Sequence, residues 1–100
     1  MSSKPVVIFD DEVTGSKLSI EVNEGYHFFH SDIKKWSVSA FKRYLDILSH
    51  AMIHLNESGV NDVYVCINNK DDKLRKYEEM FGFEVIDEHG DQFLMHRSTR

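Results

Sequence analysis

The amino-acid sequence predicts an α+β domain in which two helices cover a mixed, mostly antiparallel sheet. Three features carry that prediction. Residues alternate with period two from Lys17 to Glu24, apolar side chains recur at three- and four-residue steps from Val38 to Ser58, and a near-continuous apolar run spans Val63 to Ile67. A chain of 100 residues supports one such core and no second, so residues 1–100 are expected to form a single domain.

In chain order, Pro5 to Phe9 is apolar and rich in β-branched residues, and the charged stretch from Asp10 to Gly15 favours a turn, which predicts a strand and a hairpin. Lys17 to Glu24 places Leu18, Ile20 and Val22 on one face and Lys17, Ser19, Glu21 and Asn23 on the other, as in a half-buried strand. Asn23-Glu24-Gly25 turns the chain into a third strand, Tyr26 to Ile33. Its two bulky faces, Tyr26, Phe28 and His30 against His27 and Phe29, suit a central position. From Val38 to Ser58, Phe41, Tyr44, Leu45, Leu48, Met52 and Leu55 form one apolar stripe, and Gly59 is a natural stop for that helix.

Val60 to Ile67 is expected to be a strand covered on both faces, with Cys66 a buried structural thiol. Asp71 or Asp72 caps a second helix that turns Leu74, Tyr77 and Phe81 inward and ends at Gly82. The alternating charges of Lys70, Asp71, Asp72, Lys73, Arg75, Lys76, Glu78 and Glu79 read as its solvated face. Phe83 to Asp87 and Phe93 to Arg97 flank a Gly90-Asp91 turn and complete the sheet. The helix between two successive strands requires one local parallel pairing.

Composition limits the function. Seventeen acidic residues against twelve basic ones give a formal charge of −5, which argues against a nucleic-acid binder. No apolar run approaches a membrane span. Met1 to Pro5 lacks the apolar core of a signal peptide, and with a single cysteine a reducing, cytoplasmic setting is expected. His50 and His54 share a helix face with Asp46, an arrangement that reads as a solvated polar face before it reads as zinc ligation.

Three phrases carry a family resemblance: Lys34-Lys35-Trp36-Ser37-Val38-Ser39 before the long helix, Asn68-Asn69 after the central strand, and Tyr77-Glu78-Glu79-Met80-Phe81-Gly82-Phe83. With the order of elements, these resemble the GCN5-related N-acetyltransferase (GNAT) fold without its N-terminal strand and helices, as in short phage-encoded members of that type. The resemblance implies an acetyl-CoA-dependent N-acetyltransferase, or an acyl-CoA-binding protein, acting on an amine acceptor that is a small molecule or a protein. Lys34, Lys35, Ser37, Val38, Ser39 and Ala40 would then hold the cofactor pyrophosphate, with Val65, Asn68 and Asn69 completing its cleft. Both glycine places of the phosphate turn hold serine, at Ser37 and Ser39, which forfeits the close backbone approach glycine allows. A helix start still presents amides and a positive dipole end to an anion.

The resemblance also implies a tyrosine acid. Counting back from Gly82, its place holds Glu78, with Tyr77 one residue earlier; Tyr77 is the candidate acid. His27, His30 and Glu21 are candidate bases, histidine because it titrates near neutrality. The same departures support an alternative, a non-catalytic GNAT-like module that binds a host protein or forms a homodimer.

Overall fold

The structure, a computed structural model, describes residues 6–11, 16–32 and 37–100. The elements follow one another as β1 (Val6–Asp11), β2 (Ser16–Asn23), β3 (Tyr26–Asp32), α1 (Val38–Glu57), β4 (Asp62–Asn68), α2 (Asp72–Met80), β5 (Glu84–His89) and β6 (Gln92–Ser98). They build one six-stranded sheet in the order β1-β2-β3-β4-β6-β5. Every neighbouring pair is antiparallel except β3 and β4, which run parallel because α1 connects them. The turn between β2 and β3 is a tight one, with Glu24 at φ 53° and Gly25 at φ 84°, the left-handed pair that two-residue hairpins require.

Both helices pack on the same face of the sheet. Tyr44, Leu48 and Met52, spaced at four residues, are the buried stripe of α1. They meet Leu18, Phe29, Val63, Val65, Ile67, Phe83 and Met95 in one core. The helices also touch each other: the Phe41 ring stacks on Phe81, with centroids 5.3 Å apart and planes 7° from parallel.

Strand β4 departs from the sequence expectation. Val63, Val65 and Ile67 are buried while Asp62, Cys66 and Asn68 are exposed, so one face is covered and not both. An apolar run between helices resembles a doubly covered strand, yet α1 and α2 lie on a common side. The expectation of a buried Cys66 fails for the same reason, since its position in the alternation turns it away from the helices. The opposite face carries an aromatic row instead, with Tyr64 5.5 Å from Tyr26, 5.8 Å from Phe28 and 5.2 Å from His96 between centroids.

Gly82 ends α2 at φ 99°, and a Cβ there would lie 3.3 Å from Arg97 Nε. Gly82→Ala is expected to lose about 1–3 kcal/mol, because the left-handed backbone and the Arg97 contact both oppose a side chain. Urea unfolding measures it, and an unchanged midpoint would remove this reason for the glycine.

Candidate functional site

The ladder between β3 and β4 is the least complete in the sheet. Its register consists of His27↔Val63 and Phe28↔Tyr64, both near the starts of the strands. Beyond them the strands diverge, each keeping its outer antiparallel neighbour, β2 or β6. The gap is a cleft of about 100 Å³ lined by Phe29, His30, Ser31, Val65, Cys66, Ile67, Leu74 and Glu78. Phe29 belongs to the helix side of β3 and His30 to its open side, so the cleft passes through the sheet. Divergence turns one row of peptide groups from each strand toward the gap, and such groups require partners.

Glu78 sits at the helix side of this cleft. Leu74, Glu78 and Phe81 follow the four- and three-residue steps that face α2 toward the sheet, which draws the carboxyl inward. Glu78 is the one buried residue of α2, at 3% exposure, and it also lines a small, mostly apolar cavity with Leu18, Phe29, Tyr44, Leu48, Phe81 and Phe83. No side-chain hydrogen bond or ion pair holds its carboxyl among the described residues. Burial raises its pKa from the ordinary 4.5 to about 7. The solvated-face reading of Glu78 is thereby corrected: the neighbouring charges disguise an inward position that the Leu74–Glu78–Phe81 spacing specifies.

The start of α1 lies at the same end of the sheet as the cleft mouth, because β3 ends at Asp32 and α1 is capped only five residues later, at Ser37. Ser37 Oγ accepts from the Ala40 amide at 3.1 Å and lies 3.3 Å from Ser39 Oγ. The cap therefore engages Ala40, and the outward-facing amides of this turn reduce to those of Val38 and Ser39. No acidic residue occupies the first turn of α1. Lys34 and Lys35 lie outside the described residues.

The candidate bases separate. His30 Nε2 and Glu21 Oε1 are 2.8 Å apart on the open face, their side chains 51% and 25% exposed. His27 points to the other side of β3 and lines a shallow pocket with Gly25, Tyr26, Gly59, Val60, Asn61, Asp62 and Tyr64, away from that pair. Tyr77 is half-buried with its ring 6.3 Å from Phe41, and it does not line the cleft. One residue on a helix is a rotation of about 100°, so Glu78 takes the cleft-facing direction in its place.

Val65 is buried in the cleft wall. The two asparagines are occupied elsewhere. Asn68 Oδ1 accepts from the Lys70 amide at 2.8 Å, forming the turn into α2. Asn69 Nδ2 donates to Glu88 Oε2 at 2.7 Å and to the Gly90 carbonyl at 3.2 Å, clamping the β5–β6 hairpin. His50 donates from Nδ1 to the Asp46 carbonyl at 3.0 Å, and among the described residues no group of three or more His, Cys, Asp and Glu is placed to hold a metal ion. No described helix is long and apolar enough to cross a membrane.

No protein-family model matches the chain, and no curated protein matches it. Solved structures do. A probable acetyltransferase from Staphylococcus epidermidis superposes with a TM-score of 0.67 at 11% identity, over 85% of this chain and 60% of that one. A protein assigned to the GNAT acetyltransferases from Bordetella pertussis gives 0.66 at 16% identity, over 88% and 62%. A domain from Methanocaldococcus jannaschii gives 0.60 at 13% identity, over 82% and 56%. The chain thus spans about three-fifths of the length of the proteins it resembles, and its fold is of the GNAT acyltransferase type.

Proposed function

We propose that this GNAT-fold chain is an acetyl-CoA-dependent N-acetyltransferase whose cofactor lies in the β3–β4 cleft, with an amine acceptor approaching from the open face of the sheet. The carrying observation is the two-pair ladder between β3 and β4, which leaves a cleft through the sheet. The residues present fit the group. Phe29, Val65, Ile67 and Leu74 offer apolar walls, the diverging strands offer peptide groups, and Val38 and Ser39 offer amides to an anion. Lys34 and Lys35 would add positive charge.

When bound, acetyl-CoA supplies an activated thioester carbonyl. His30, hydrogen-bonded to Glu21, takes the proton that the amine must lose, and the cleft holds the reactants in register, which alone removes much of the barrier. The acceptor is a small-molecule or protein amine, in a cytoplasmic setting.

Acetyl-CoA is expected to raise the melting temperature, since saturation at 100 times Kd stabilises by about 2.7 kcal/mol. His30→Ala should lower kcat by about 10²–10⁴ while acetyl-CoA affinity stays the same, as read by thiol release and calorimetry. Absence of both a melting shift and a binding heat at millimolar acetyl-CoA would exclude this reading.

One observation favours a second reading, a non-catalytic module that binds a protein partner or a second copy. The Ser37 hydroxyl already occupies the Ala40 amide that a phosphate would need. In that case Ser37→Gly with Ser39→Gly would leave ligand binding unchanged, and the chain would migrate with a stoichiometric partner or as a dimer. A monomer that binds acetyl-CoA removes it.

A further inference from the structure

Resting on that functional reading, we infer that Glu78 is the acid of this cleft, delivering its proton to the sulfur that leaves when the acyl group is transferred. The inference stands on a juxtaposition. A side chain 3% exposed, on the sheet-facing stripe of α2, lines both the cleft and the apolar cavity beneath it, and no described residue hydrogen-bonds its carboxyl. A buried carboxyl without partners is costly as a carboxylate and stable as a neutral acid, so it enters the cleft carrying a transferable proton. Its raised pKa, about 7, agrees with that geometry.

Lys17 from β2 and Tyr44 from α1 line the cavity on the Glu78 side of the sheet, while His30 from β3 and Cys66 from β4 line the cleft from its open face. Partial burial pushes the Cys66 thiol above its ordinary range, and its place in the β4 alternation turns it to the open face, away from the side of the sheet that Glu78 occupies. Tyr77, its ring 6.3 Å from Phe41, does not line the cleft.

The step balances. The amine nitrogen bonds to the acyl carbon as the carbon–sulfur bond breaks, and the bonding pair stays on sulfur. The Glu78 proton joins that pair to give a thiol, and the amine's surplus proton passes to the His30–Glu21 pair. Water then returns a proton to Glu78 as the pair releases one. Because the acid titrates near neutrality, the rate should fall as pH rises through about 7, whereas a tyrosine acid would hold the rate until about pH 10.

The test combines two measurements. Carbon-detected NMR of the glutamate carboxyls in the wild-type protein should show one titration near pH 7 that is absent from Glu78→Gln, and saturating CoA should displace its midpoint. Glu78→Gln should bind acetyl-CoA as wild type does, release thiol about 10²-fold more slowly, and lose the alkaline fall in rate. If acetyl-CoA binds and turns over while Glu78→Gln matches wild type in rate and pH profile, the acid assignment alone is overturned. A wild-type titration that CoA leaves unmoved overturns it without any variant. If wild type binds no acetyl-CoA, the functional reading falls and this inference with it.

Discussion

Replacing Glu78 by glutamine is expected to stabilise the protein at neutral and alkaline pH and to flatten part of its pH dependence. Folding raises the carboxyl pKa from 4.5 to about 7. Between those values the folded state holds a proton that the unfolded state releases. Stability from this group is complete below pH 4.5 and is lost as pH rises through 7. The shift corresponds to something on the order of 3 kcal/mol, and at 3% exposure solvent screens little of it. Glutamine fills the same space without that titration. Urea unfolding at pH 4.5, 6 and 8 should show the variant gaining on wild type by that amount across the range; parallel profiles would show that the carboxyl is not desolvated.

The second large effect is at Phe83. Its ring is essentially inaccessible, meets Phe29 edge-on at 6.5 Å, and closes the apolar cavity under Glu78, whose volume of about 10 Å³ accommodates no more than one water. Phe83→Ala should cost about 3–5 kcal/mol, from lost transfer energy and the hole left behind. That is a large share of the 5–15 kcal/mol available to a domain this size. The urea midpoint should drop with little change in slope. A loss below about 1 kcal/mol would mean that the ring is not part of the core.

The order of the elements was legible because each carried its own period and its own stop. Alternation in β2, the four-residue stripe of α1, and Gly59, Gly82 and the Glu24-Gly25 and Gly90-Asp91 turns are local signals, and the structure follows them. Which face a helix covers is not a local property. Nothing within an apolar run says that α1 and α2 share a side, so Cys66 and the second face of β4 read as covered although they are open. Glu78 was hidden for a related reason, since a charged residue among Lys, Arg and Glu reads as solvated until its neighbours at Leu74 and Phe81 are weighed.

Of the candidate site, pairing across the sheet separated what sequence could not. Register brings Ser19 opposite His30 and Glu21 opposite Phe28, so Glu21 and His30 share the open face and meet, while His27 falls on the other. The spacing of Asn68 and Asn69 matched an expected cofactor contact, yet both serve turns and the hairpin. Of the expected phosphate-binding residues, Ser37 to Ala40 are described and Lys34 and Lys35 are not.

The central claim is that the divergence of β3 from β4 is an acyl-CoA cleft. Amide NMR during titration with acetyl-CoA addresses it directly, because the claim specifies which amides respond. Saturable shifts are expected at Val38 and Ser39, at His30 and Ser31, and from Val65 to Ile67, with the β5–β6 hairpin unaffected. A titration to millimolar acetyl-CoA that moves none of these amides, or moves only residues outside the cleft, would contradict the claim.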